Sequence, residues 1–219
     1  MIKPTLARLA LACCALSMAH AGVIYSNLGT PAQFDGVNGW EVDGGVDGGQ
    51  MIAAQFTSIT TAPLIGVRLA LGISFTNLAN SPIEVYIASD SAGLPGAVFA
   101  NLSAVTGETP GSFPTGNFVD FVCTGCPLLI AGTSYWVVAG IPNADLDHFE
   151  TQAEWNWNTT LDYSSGINFA FNDTQFGGGW QLGSNDVLRP AFSVDAVPEP
   201  ATVVLLGLGL LVIARIDRR

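Results

Sequence analysis

The sequence predicts an all-β protein, an antiparallel β-sandwich of jelly-roll-like form, flanked by an N-terminal signal peptide and a C-terminal single transmembrane helix. Three observations carry that reading. Between Gly22 and Asp195 no stretch sustains a 3.6-residue apolar period. Short runs rich in β-branched and aromatic residues recur there instead, set apart by Gly, Pro, Asn and Asp. The two chain ends carry apolar segments of a different kind, each bounded by basic residues. The organisation that follows is residues 1–21 as signal peptide, 22–195 as the β module, and 196–219 as an anchor segment.

Residues 1–21 open with Lys3 and Arg8, continue through an apolar stretch over 9–18, and end on Ala19-His20-Ala21. Small residues at Ala19 and Ala21 form a cleavage site that leaves Gly22 as the first mature residue. Translocon and signal peptidase are therefore expected partners. Cys13 and Cys14 raise a lipoprotein alternative, but they follow Arg8 too closely for a full apolar region. Ala10 also stands where a lipobox calls for leucine.

Ten runs of the module read as strands: 23–25, 51–56, 64–75, 83–88, 97–102, 117–122, 135–139, 155–157, 167–171 and 191–194. Ten strands divided by turn signals suggest two packed sheets. Val67-Arg68-Leu69-Ala70-Leu71 and Glu84-Val85-Tyr86-Ile87 alternate, so one face of each is wet. Glycine is concentrated in loops, at Asp43-Gly44-Gly45-Val46-Asp47-Gly48-Gly49 and Phe176-Gly177-Gly178-Gly179-Trp180. Neither is a phosphate loop, since no lysine or following helix completes one.

Removing both terminal segments leaves Arg68 and Arg189 against sixteen carboxylates, a formal charge of −14 with no lysine. So negative a surface repels phosphate backbones and excludes nucleic acid as a partner. Two cysteines remain, Cys123 and Cys126, in a C-x-x-C spacing. The redox form of that motif needs its first cysteine at a helix N-terminus. Here it follows the strand-like run 117–122, which favours a disulfide pinning a turn of an exported chain. Zinc would need two further ligands, and the module holds one histidine, His148, and no other cysteine.

Residues able to carry chemistry are few. His148 lies among Asp145, Asp147 and Glu150, yet no Gly-x-Ser-x-Gly elbow supplies a serine. Calcium prefers oxygen-rich loops, and Asn143, Asp145 and Asp147 fall at positions one, three and five with Glu150 behind them. His148 then occupies the position that an EF-hand reserves for glycine, and solvated acidic turns are the competing reading. The loop from Asp43 to Gly48 departs from the pattern too, with Gly45 at position three and Ala54 where the bidentate acid belongs. Trp155, Trp157 and Trp180 sit in an Asn-rich second half, where aromatic faces beside amides suit glycan contact. Residues two apart on a strand share a face, so Trp155 and Trp157 form the candidate platform, with core packing the alternative.

The chain closes on Val197-Pro198-Glu199-Pro200, an apolar run over 201–214, and a basic end with Arg215, Arg218 and Arg219. The two prolines hold an extended peptide ahead of the run. Fourteen helical residues reach roughly 21 Å, and the flanks at 197–216 bring the segment close to a bilayer core of about 30 Å. The arginines favour the cytoplasmic side, which puts the module across the membrane.

This tail resembles the PEP-CTERM sorting signals of Gram-negative bacteria: Pro198-Glu199-Pro200, a short apolar helix containing Gly207 and Gly209, and terminal arginines. The resemblance implies recognition by exosortase, a membrane-embedded cysteine transpeptidase, which removes the tail and passes the protein to the cell surface. Pro198, Glu199 and Pro200 are then substrate residues, and the inner membrane is a transient partner.

The module resembles the choice-of-anchor R type of bacterial surface domain. The resemblance rests on Val23-Ile24-Tyr25-Ser26-Asn27-Leu28-Gly29, Gly39-Trp40, Ala54-Gln55-Phe56-Thr57, Ser91-Ala92-Gly93-Leu94-Pro95-Gly96 and Thr133-Ser134-Tyr135-Trp136-Val137-Val138. The expectation is a non-enzymatic surface or extracellular-matrix protein, without a cofactor; its association with exopolysaccharide or biofilm is what the sorting resemblance implies, and no residue of the module shows it. The alternative is a secreted carbohydrate-binding protein or hydrolase using acids near Trp155 or Trp180.

Overall fold

The structure is a computed structural model that describes residues 22–29, 32–44, 49–73, 83–112, 114–141, 152–159, 168–173, 178–184 and 188–197. Among these residues the chain forms strands and no helix. They run in order β1 (Gly22–Ser26), β2 (Phe34–Asp43), β3 (Gln50–Thr57), β4 (Ala62–Ile73), β5 (Glu84–Ser91), β6 (Leu94–Ala104) and β7 (Gly111–Ser112). Then come β8 (Asn117–Val122), β9 (Leu128–Leu129), β10 (Ser134–Gly140), β11 (Gln152–Asn158), β12 (Phe169–Asp173), β13 (Trp180–Leu182) and β14 (Phe192–Ala196).

All ten runs marked in the sequence fall on strands, with ends displaced by a few residues. The sequence gives no sign of β2, whose Asp35, Gly36, Asn38 and Gly39 read as turn residues. Local chemistry accommodates them. The Asp35 carboxylate accepts the N–H groups of Val37 and Asn38 at 2.9 and 3.2 Å, and the ladder to β11 is bulged between Asn156 and Trp157. At Gly39 a Cβ would stand 2.9 Å from the Trp155 carbonyl oxygen, so only glycine lets the two backbones approach. β7, β9 and β13 are too short for any periodicity to register.

The strands form one open, hydrogen-bonded sheet, β1-β14-β4-β8-β6-β5-β10-β3-β12-β13, with β11, β7 and β9 also paired to β4 and β2 paired to β11. Pairing is antiparallel throughout except for a short parallel contact between β4 and β7. Two separate sheets were the expectation, and the path is continuous instead because β6 belongs to both halves. Its residues 94–102 pair with β5, while Ser103 and Ala104 pair with Val122 and Phe121 of β8.

The two halves face each other across one core. Leu64, Val67, Leu69, Leu71, Phe192 and Val194 come from the β14–β4 side, and Ile52, Phe56, Ile87, Tyr135, Val137 and Phe169 from the β5–β10–β3–β12 side. Phe192 lies at its centre, fully buried, with ring centroids at 4.7 Å from Tyr25, 5.9 Å from Trp155 and 6.5 Å from Phe56.

β4 changes the phase of its alternation midway. Ala62 and Leu64 face the core, and after them Val67, Leu69 and Leu71 do. The register to β14 steps from Asp195↔Gly66 to Ala196↔Leu64, so Ile65 is an extra, bulged residue that shifts the pattern by one. The bulge also hands β4 from β9, its partner at Ala62 and Pro63, to β8, its partner from Gly66 onward. Gly66 sits against the Phe121 backbone carbonyl so closely that a Cβ would overlap that oxygen.

The expected signal peptide and transmembrane helix lie outside the described residues. Among the described residues no helix is long and apolar enough to cross a membrane.

Two substitutions test this architecture by urea unfolding. Phe192→Ala is expected to cost about 3–5 kcal/mol, the range for an aromatic removed from a packed core. Gly66→Ala is expected to cost about 1–3 kcal/mol through a backbone clash that no rotamer relieves, and an unchanged midpoint would contradict the β4–β8 register.

Candidate functional site

β10 is apolar on both faces, and its outward side chains build a second layer. Tyr135, Val137 and Ala139 enter the main core, while Trp136 and Val138 point the other way and join Ala53, Ala88 and Ala170 in a separate cluster. The registers set these in rows: Tyr86, Val138, Ala53 and Ala170 in one, Ala88, Trp136 and Gln55 in the next. Small alanines on three strands leave room for the Trp136 ring among them. Trp136 is fully buried although it belongs to the outer face. Met51, Tyr86, Leu94 and Trp180 surround it, each half-buried.

A polar chain fixes that ring. The Trp136 indole N–H donates to Asp90 Oδ1 at 2.8 Å, and Gln55 Nε2 donates to the same oxygen at 2.7 Å. Asn168 Nδ2 donates to Gln55 Oε1 at 2.9 Å, and the Gly93 N–H reaches Asp90 Oδ2 at 3.1 Å. Gly93 and Ala92 both take positive φ in the turn between β5 and β6, which curls the backbone back onto Asp90. Burial pushes the Tyr86 phenol up, with the nearby Glu84 charge acting in the same direction. The arrangement holds one carboxylate, already accepting three hydrogen bonds, beside amides and aromatic rings. The bonds fix the Trp136 ring and the β5–β6 turn against the sheet.

The tryptophans singled out in the sequence are not brought together. Trp155 is fully buried in the main core with its indole N–H on the Ala191 carbonyl at 3.0 Å, so it offers no ring face to a sugar. Trp157 lies beyond the β11 bulge, its ring centroid 5.9 Å from Trp40. Trp180 alone of the three reaches the outer face. Sequence reasoning passed over Trp136, Asp90, Gln55 and Asn168. The signal was present in Tyr135-Trp136-Val137-Val138-Ala139, an unbroken apolar run of the kind that marks a strand covered on both sides.

Other expected sites fall as follows. Asn143, Asp145, Asp147, His148 and Glu150 lie outside the described residues, as do Ala19, Ala21, Pro198, Glu199, Pro200, Arg215, Arg218 and Arg219. Among the described residues no three His, Cys, Asp or Glu side chains cluster as metal ligands. Cys123 and Cys126 stand 5.5 Å apart at Cα with their sulfurs in bridging contact, beside the Ile65 bulge whose carbonyl accepts the Cys123 N–H at 3.1 Å.

The module's two ends meet. Gly22 pairs with Ala196 across β1 and β14, and the Val197 N–H donates to the Pro63 carbonyl at 3.0 Å. Beside them Arg68 grips Asp120 through two bonds of 2.6 and 2.7 Å on adjacent strands. Hydrogen bonding to Asp120 raises the Arg68 guanidinium. Burial pushes the Asp195 carboxyl up, Arg68 opposes that shift, and Asp120 adds to it. Asp195 occupies the row between Val23 and Gly66, with Val122 next beyond.

Comparison with known families matches residues 196–219 to the PEP-CTERM protein-sorting motif. No curated protein and no solved structure matches the chain. The motif directs exosortase-dependent sorting, so the chain is an exported protein, made as a membrane-anchored precursor and sorted to the cell surface.

Asp90→Ala is expected to lower stability by about 1–3 kcal/mol in urea unfolding, because it strands the Trp136 and Gln55 donors. For Asp195, a folded-state pKa above the unfolded value means that the native state binds the proton more tightly. Stability is therefore lost as pH rises from the ordinary carboxylate range through the folded value. Asp195→Asn is expected to raise the thermal midpoint at pH 7 and to leave it unchanged near pH 3. A loss at pH 7 would contradict the burial of this group.

Proposed function

We propose that this chain is a non-enzymatic surface or extracellular-matrix protein of a Gram-negative bacterium. Exosortase cuts it at Pro198-Glu199-Pro200 after the module has crossed the inner membrane, and the mature module then associates with exopolysaccharide. The observation that carries this reading is the sorting motif over 196–219, which begins on the last residue of β14. An all-β module of one continuous sheet folded across a single core suits such a role, since it keeps a rigid fold outside the cell. Its net charge of −14 keeps copies apart in solution and disfavours anionic partners, which leaves neutral glycans as the better ligands. The outer face around Trp136 supports the glycan part of the proposal. Trp180 pairs with Asn172 and, like Tyr86, packs half-buried against the Trp136 cluster, which sets apolar rings near an amide, the pairing that sugars require.

The processing step is tested on protein recovered from the surface of the native cells. Mass spectrometry of its C-terminal peptide is expected to show loss of residues 201–219. A Pro198→Ala, Glu199→Ala, Pro200→Ala variant is expected to keep them and to remain in the membrane fraction. Surface protein that still carries Arg218 and Arg219 in cells with a working exosortase would refute the proposal.

A further inference from the structure

Eight large apolar side chains are exposed among the described residues, and five of them gather at one end of the module: Ile59, Leu128, Ile130, Val122 and Val23. Hydrogen bonds join the segments that carry them. Ser58 exchanges backbone bonds with Thr133 and Gly132, Pro63 pairs with Leu128, and Gly66 pairs with Val122 on one side and Asp195 on the other. Asp195 in turn pairs with Val23. The remaining three, Val37, Val98 and Leu182, are scattered singly on β2, β6 and β13. Ile59 is 77% exposed, an unusual position for isoleucine on a module that must stay soluble.

Charge is sparse at the same end. No Asp, Glu, Lys or Arg occurs at 22–34, 48–67 or 121–144, although the module as a whole carries sixteen acids. Asp195 is a carboxylate within the rim, and the Arg68–Asp120 ion pair, with Glu108 on the Asp120 N–H, borders it two residues along β4. Asp90, at the end of β5, is engaged by three donors.

This end is also where the chain leaves for the tail. Val197 is tied to Pro63, and only Pro198, Glu199 and Pro200 separate it from the apolar run that begins at Ala201. Four Cα steps span at most about 14 Å, whatever their conformation. The polar headgroup layer is itself roughly 5–8 Å deep on each side of the hydrocarbon core. With the run inserted, the apolar end has almost no clearance above the lipid.

We propose that the end carrying Ile59, Leu128 and Ile130 docks on the outer leaflet of the inner membrane while the precursor is anchored. A charge-poor cap lets an otherwise acidic module rest on an anionic surface, and its isoleucines and leucine enter the headgroup boundary. Docking also fixes the height of the Pro-Glu-Pro segment, holding it at the bilayer surface where a membrane-embedded enzyme works. The inference rests on the sorting reading, because without the tail the cap has no reason to face lipid.

The test uses the full-length precursor from cells lacking exosortase, reconstituted into phosphatidylethanolamine and phosphatidylglycerol vesicles and followed by hydrogen exchange. Amides at 58–63 and 127–133 are expected to exchange about threefold or more slowly than in a variant with roughly twelve Gly/Ser residues inserted after Val197, which adds about 20 Å of reach. Gly140 and Ile141, at the opposite end of β10, are expected to exchange alike in both. An Ile59→Glu, Ile130→Glu variant is expected to lose the protection while resisting carbonate extraction. Equal exchange in wild type and spacer variant, with the precursor still embedded, overturns docking alone. A wild-type precursor that carbonate strips from the vesicles overturns docking and the sorting reading together.

Discussion

The pairing of β4 with its neighbours is the constraint on which the rest of the structure depends. β4 binds β14 and β8 along its length, takes β11 at one end and β9 at the other, and so ties the first strand, the last strand and the middle of the chain to one ladder. A ladder of that length tolerates only one register, since a slip of one residue would send Val67, Leu69 and Leu71 to the solvent side. The extra residue at Ile65 is the single departure. It reverses the facing of the strand where the partner changes, and the absence of a side chain at Gly66 lets the Phe121 backbone close against it.

From that ladder the two-layered character of the other half follows. The inner faces of β3, β5, β10 and β12 complete the core, which leaves their outer faces to find cover of their own. Alanine at Ala53, Ala88 and Ala170 and a large ring at Trp136 solve the problem by packing small against large. Burying the indole N–H demands a partner, and Asp90 supplies it, drawing Gln55 and Asn168 into the same chain of bonds. The most organised polar group among the described residues thus arises from a packing requirement.

The chain termini of the module complete the logic of export. Gly22 beside the last strand, and a last strand pinned beside Pro63, bring the two ends of the described module together at one charge-poor end. Arg68 is held by Asp120 across adjacent strands, and Arg189 is buried, which pushes its guanidinium down. Neither of the module's two cations is offered freely to a partner.

Much of this was legible without coordinates. Period-two runs and turn residues determined the all-β class and ten of the strands, because alternation and turn chemistry are local properties. The C-terminal segment declared export and sorting for the same reason, since a processing enzyme reads short peptides rather than folds. What only the tertiary structure decided was non-local. Whether Trp155 is core or platform depends on which sheet closes over it, and β2 becomes a strand through a bulged partner 118 residues away, as in the Asn38–Asn156 contact. The apolar end exists as a surface only because hydrogen bonds collect Val23, Ile59, Val122 and Leu128 from four separate stretches. Spacing along a chain fixes what each residue prefers, but long-range pairing decides which preferences meet.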